Sequence, residues 1–193
     1  MKVFIASSAN EMIDEKYITL ASDISLIFAK RNFDLMFGAA NYSMMGACYR
    51  TFIKYNRTVY ACTVPKYIKD FKKLKKARCI KATDTLSRFR KLYSKSDFIV
   101  ILPGGIGSLA EFSSAVEEYR ASGGDKRIIL FNYDGYYNGL ITWMKENIET
   151  GFFVDDLSDC YDIVSDINEL ENIVDNYRRN HNLKKRIERK GDI

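Results

Sequence analysis

The chain has 193 residues, 47% of them hydrophobic, and a formal net charge of +5. This length suits a single domain around one sizeable core, and with only two prolines, Pro65 and Pro103, long linkers or disordered stretches are not expected. No apolar run approaches the ~18 residues of a membrane span, and Val3-Phe4-Ile5-Ala6 is too short for the apolar part of a secretion signal, so a cytoplasmic protein with no membrane partner is expected.

Along the chain, short apolar runs alternate with segments of helical period. Val3-Phe4-Ile5-Ala6 reads as the first strand. Tyr17, Leu20, Ala21, Ile24, Ile27 and Phe28 then form a helical stripe. Phe33 to Phe37 is the second strand, stopped by Gly38, and Met45, Cys48, Tyr49 and Phe52 mark the next helix. Thr58 to Val64 is the third strand, stopped by Pro65, and Arg78 to Ala82 is a short fourth. Thr85 to Lys95 reads as a helix. Phe98-Ile99-Val100-Ile101-Leu102, the most apolar run, suits a central parallel strand covered on both faces. A helix from Leu109 to about Arg120, a strand from Arg127 to Phe131 and a helix carrying Tyr137, Leu140, Ile141, Met144 and Ile148 follow. A strand near Tyr161 to Val164 and a helix from Asn168 to Arg178 complete the pattern.

This order predicts an α/β fold: a Rossmann-like parallel sheet with helices on both faces, in a single domain over residues 1–178, followed by a basic tail over 179–193. In such sheets ligands bind at the carboxyl ends of the strands, beside helix N-termini. Four loops are thereby placed on one rim: Ser7 to Asn10, Gly38 to Asn41, Ala82 to Asp84, and Pro103 to Ser108.

The chemistry is concentrated in Pro103-Gly104-Gly105-Ile106-Gly107-Ser108, between the most apolar strand and a helix. Glycines let the backbone approach a ligand closely, and the unpaired N–H groups and dipole at a helix start favour an anion, most often a phosphate. A second reading is structural: Ser108-Leu109-Ala110-Glu111 fits a capping box, with Ser108 as cap and Glu111 reaching back to it. Arg88, early in the preceding helix, projects toward the same rim and can hold a phosphate or carboxylate through paired donors. It can also be a surface arginine among Arg90, Lys91 and Lys95. Asp84 is a candidate acid, or the cap of the helix at Thr85. The four cysteines, Cys48, Cys62, Cys79 and Cys160, are scattered through apolar stretches and the one histidine is His181, so reduced core thiols and no metal site are expected.

These residues, in this order, are similar to the LONELY GUY family of phosphoribohydrolases, whose bacterial members are often mislabelled lysine decarboxylases. The family signature P-G-G-x-G-T-x-x-E reads here Pro103 to Glu111, with Arg88 at the matching upstream position. Asn132 to Asn138, Glu149 to Phe153, Phe37-Gly38-Ala39-Ala40 and Met44-Met45-Gly46-Ala47 match further segments, so that the likeness runs through most of residues 2–153. The resemblance implies cleavage of a nucleoside 5'-monophosphate, AMP or cytokinin-type, into free base and ribose 5-phosphate, without cofactor or metal. It implies catalytic roles for Arg88 and Glu111, and nucleotide contacts at Ser8, Gly38, Met45, Gly104, Gly105, Gly107 and Ser108. A homodimer with the site near the subunit interface is also implied. Beside Arg88, Glu111 is expected to have a lowered pKa and to be an anion at neutral pH.

The chain departs from the family at Ala39 and Ala40, which replace two glycines and are expected to narrow the pocket or resist positive φ. Ser108 replaces a threonine, Ser43 and Ala6 replace glycines, and Phe89 stands where a lysine often follows the arginine. Two other function classes stay open: a nucleotide-binding sensor without turnover, and a module that binds RNA or another macromolecule through the basic segments Lys66 to Arg78 and Arg178 to Lys190. Neither basic segment carries the glycine and aromatic pattern of an RNA-binding module, so nucleic acid is not the expected partner. A pyridoxal-dependent decarboxylase would need a lysine Schiff base in a recognisable site, and none is seen.

Overall fold

The computed structural model describes residues 1–123, 126–153 and 157–191. Its strands are β1 (Lys2–Ala6), β2 (Asp34–Phe37), β3 (Val59–Thr63), β4 (Ala77–Lys81), β5 (Phe98–Ile101), β6 (Arg127–Phe131) and β7 (Asp162–Val164). They form one seven-stranded sheet in the order β4-β3-β2-β1-β5-β6-β7, parallel at every pairing. The strand order reverses between β1 and β5, and the crevice above that switch point is where open parallel sheets bind ligands.

The helices are α1 (Glu15–Lys30), α2 (Ser43–Lys54), α3 (Ile68–Phe71), α4 (Thr85–Ser94), α5 (Ile106–Ser122), α6 (Asn138–Glu149) and α7 (Ile167–Gly191). Alternate side chains of each inner strand enter opposite cores. On one face Val3, Ile5, Phe98 and Val100 pack with α1, α2 and α7; on the other Phe4, Ala6, Ile99 and Ile101 pack with α4, α5 and α6. All four residues of β5 are buried, which is why its sequence shows no alternation. Burying each such side chain contributes roughly 1.5–3 kcal/mol, so β5 is anchored from both sides and carries the loop after it rigidly.

The structure refines the sequence reading at several elements. The basic stretch after Pro65 holds a 3-10 turn (Pro65–Tyr67) and the short α3. Helix α5 begins at Ile106 rather than Leu109. Helix α7 passes through Arg178 without a break and runs to Gly191; the last two residues of the tail lie outside the described residues. Cys48, Cys62 and Cys160 are buried, but Cys79 is exposed, because β4 is an edge strand with one face open. Among the described residues no helix is long and apolar enough to cross a membrane, and no group of metal-ligating side chains is gathered.

Candidate functional site

A cleft of about 380 Å³ opens above the switch point, at the carboxyl ends of β1, β2, β3 and β5. It brings together Ser8, Gly38, Met45, Arg88, Gly105, Gly107, Ser108 and Glu111, which lie far apart in the chain. Of the residues singled out in the sequence, Gly104 stands outside the lining. Its carbonyl accepts a hydrogen bond from the Tyr136 hydroxyl at 3.0 Å, and a Cβ there would lie 2.1 Å from Ser108 Oγ, so glycine is needed for the turn itself.

The start of α5 excludes the capping box. Gly105 occupies the cap position, no side chain caps the helix, and no acidic residue lies in its first turn. Ser108 is inside the helix, three residues past the cap, so it does not form the box with Glu111. The N–H groups of Ile106, Gly107 and Ser108 come before the first backbone hydrogen bond of the helix, Leu109 N–H to Gly105 O at 3.1 Å. They lie at the cleft edge, where a phosphate or carboxylate can satisfy them.

Two tyrosines brace this loop from behind. The Tyr137 hydroxyl donates to Leu102 O at 2.8 Å, deep in the core, and Tyr136 holds Gly104 O. Asn132 positions the pair by accepting from Tyr137 N–H at 2.7 Å and donating to Asn138 at 2.8 Å. None of these aromatics lines the cleft. Tyr137→Phe strands a buried carbonyl, and the expected cost is about 1–3 kcal/mol in denaturant unfolding.

Arg88 sits one turn into α4. That helix is started by a true capping box, in which Asp84 accepts from Ser87 N–H at 2.8 Å and Ser87 Oγ accepts from Asp84 N–H at 3.1 Å. The Ser87 N–H and the Thr83 hydroxyl hold the Asp84 carboxyl below its ordinary value. Asp84 and the rest of its loop do not line the cleft, so Asp84 is a cap and has no place as an acid here.

The Arg88 guanidinium donates from Nε to Cys62 O at 3.1 Å and from Nη1 to Glu111 Oε1 at 3.4 Å. Its Nη2 lies over Gly38, where a Cβ would come within 2.2 Å of it and 3.0 Å of Met45 Cε. Gly38→Ala therefore pushes the guanidinium aside, and the expected result is a loss of about 10- to 100-fold in kcat/KM with little change in Tm.

The Glu111 side chain is only 12% exposed. Burial pushes its carboxyl up to about 7, against the opposing pull of Arg88. This corrects the expectation of a lowered pKa. The single 3.4 Å contact is too little to offset removal of the carboxylate from water.

The altered glycine loop holds its shape under strain. Ala39 has φ 74° and Ser43 φ 53°, a region that costs a non-glycine residue of order 1–3 kcal/mol. The Ala39 methyl packs into the core beneath β1 and β2. The Ser43 hydroxyl donates to Asn10 O at 2.6 Å and ties the first loop to the second. Ser8 belongs to the same junction: its Oγ accepts from Asn10 N–H at 3.0 Å and its carbonyl from Met45 N–H at 3.3 Å.

Sequence reading missed part of the lining. Ser7, in a loop that the sequence did place on the rim, is buried at the cleft with its side chain beside the Cys48 thiol. Tyr42, Tyr67 and Asp70 close the end away from α5. Tyr67 and Asp70 follow β3, whose loop takes the rim position that the sequence reading gave to Ala82–Asp84. Burial, and then the Asp70 charge, raise the Tyr42 phenol above its ordinary value.

Residues 45–174 match a protein family described as possible lysine decarboxylase. A cytokinin riboside 5'-monophosphate phosphoribohydrolase of Arabidopsis thaliana is 27% identical over 152 residues, covering 78% of this chain and 70% of the relative. A protein of the same name from Mycobacterium tuberculosis is 27% identical over 144 residues, covering 70% of this chain and 73% of the relative. Among solved structures, the molybdenum cofactor binding protein of Rippkaea orientalis superposes with a TM-score of 0.65 at 12% identity, over 91% of this chain and 96% of that one. The molybdenum cofactor carrier protein of Chlamydomonas reinhardtii gives 0.65 at 13% identity, over 92% and 97%. The structural likenesses speak to the fold.

Proposed function

The chain belongs to the LONELY GUY family of phosphoribohydrolases, and from that premise we propose that it hydrolyses the N-glycosidic bond of a nucleoside 5'-monophosphate, releasing free base and ribose 5-phosphate. The observation that carries the reading is the placement of Glu111 and Arg88 in one cleft with the uncapped start of α5. The 5'-phosphate sits on the N–H groups of Ile106, Gly107 and Ser108, with Gly105 leaving room for its approach. Glu111, on the same helix face as Ser108, then lies a ribose away from it.

Breaking the bond from the anomeric carbon to the base nitrogen builds positive charge on the ribose. An ionised Glu111 stabilises that charge and takes a proton from the water that adds to the anomeric carbon. With a pKa near neutrality, it can return the proton to the departing base nitrogen and emerge ionised. Arg88 remains charged throughout; it holds Glu111 and offers Nη2 to the phosphate or ribose.

The family description of lysine decarboxylase has no chemical support in this cleft. Among the described residues no lysine lines it, so a pyridoxal Schiff base has no anchor there. A homodimer belongs to the same reading. The α5–α6 face carries an apolar groove of about 450 Å³ whose lining includes Leu109, Phe112, Leu140, Trp143, Phe152 and Phe153, and Ile106 is exposed at the first position of α5. An apolar surface of this kind next to the start of α5 suits a second copy.

The test compares AMP with adenosine. Cleavage of AMP with adenosine left intact is the expected result, because the phosphate cradle supplies the binding energy. Equal cleavage of adenosine, or binding of AMP with no base released, contradicts the proposal; the second result would favour a sensor.

A further inference from the structure

The end of the cleft away from α5 is chemically unlike the rest. Tyr42, Tyr67 and Asp70 form its wall. Asp70 pairs with Lys73 Nζ at 3.5 Å, and its side chain is 24% exposed. The Asp70 charge reaches the Tyr42 phenol and, after burial, helps to raise it, and Lys73 stands over the Tyr42 ring at 5.9 Å from its centroid. A carboxylate, an ammonium and a phenol therefore meet where the cleft stops.

The nucleotide's orientation follows from the proposed function, on which this inference rests. With the phosphate at α5 and the ribose between Arg88 and Glu111, the base reaches toward β3 and meets this wall. Tyr42 and Tyr67 bring aromatic rings to this wall, each with a lysine over its ring, Lys73 on Tyr42 and Lys66 on Tyr67, and a base can pack against such rings. Asp70 offers an acceptor for an amino group on its outer edge.

Cytokinins are adenines whose amino nitrogen bears an apolar substituent. Such a substituent would press against the Asp70–Lys73 pair, remove water from it and return no hydrogen bond. We infer that this cleft accepts an unsubstituted amino-bearing base, and that Asp70, paired with Lys73, excludes bases alkylated at the amino nitrogen. The substrate would thus differ from the one for which the curated relatives are named.

The experiment measures kcat/KM for AMP and for N6-isopentenyl-AMP with wild type, Asp70→Leu and Asp70→Asn. Wild type is expected to prefer AMP by about tenfold or more, the range open to a pocket rejecting an added apolar group. Asp70→Leu is expected to move the ratio toward the alkylated nucleotide by about tenfold. Asp70→Asn, which keeps the side-chain shape, should move it the same way by less. Equal or better cleavage of the alkylated nucleotide by wild type overturns the inference, as does a ratio unmoved by either substitution. Should wild type cleave neither nucleotide, the hydrolase reading fails by itself. The affinity ratio of the two nucleotides, read by calorimetry on the same proteins, then decides the inference with the same expectations, and binding of neither overturns it.

Discussion

Replacing Glu111 with glutamine is expected to lower kcat/KM for nucleotide hydrolysis by about 100- to 10,000-fold, the range of a lost acid-base group, while nucleotide affinity stays within a few-fold. Glutamine keeps the shape and can still accept from Arg88 Nη1, which now lies 3.4 Å from Oε1. It can neither carry charge nor move a proton. The same substitution has a signature in stability. The folded carboxyl titrates near 7, against an ordinary value of 4.5, so the native state holds a proton that the unfolded chain releases in that window. The contribution of Glu111 to stability therefore falls as pH rises from about 4.5 to about 7. Thermal unfolding of both proteins across this range should show the variant gaining on wild type as pH rises, with a constant difference below it. A difference that ran the other way would mean that Arg88 dominates and that the carboxyl is held ionised.

Arg88→Ala is expected to cost about 100- to 1,000-fold in kcat/KM, through lost positioning of Glu111 and of the bound phosphate or ribose. It removes the group that opposes the burial of Glu111, so the Glu111 pKa rises further. In wild type kcat/KM should climb with pH and level off above about 7, as Glu111 ionises. In the variant the rise should be displaced to higher pH. Arg88→Lys restores charge without the fork held by Cys62 O, and it should bring the pH midpoint back farther than it brings back the rate. An unshifted midpoint in Arg88→Ala would assign the titration to another group.

The sequence exposed the fold because its strands are buried in different ways. The unbroken run at β5 and the helical stripes of α1 and α2 each encode their surroundings locally. The glycine loop was legible for a similar reason: it follows the most buried strand, and strand ends in this architecture converge on one rim; Arg88 and Glu111 were singled out as a pair through the family resemblance. Properties that depend on distant residues were not legible. Ser108 and Glu111 satisfy the spacing of a capping box, but Gly105 takes the cap position and moves the helix start forward. The raised pKa of Glu111 depends on enclosure by four loops, whereas the pattern showed only the nearby arginine. Asp70 lay hidden among Lys69, Lys72, Lys73, Lys75 and Lys76, which read as a solvated face. The turn after Pro65 lifts it onto the rim. The exposure of Cys79 follows from the edge position of β4, which strand order alone reveals.

The most direct measurement incubates wild type and Glu111→Gln with AMP and quantifies adenine and ribose 5-phosphate together. The account predicts equimolar release by wild type and almost none by the variant, with AMP still bound by both. Release by the variant at the wild-type rate, or no release by either protein, would contradict it.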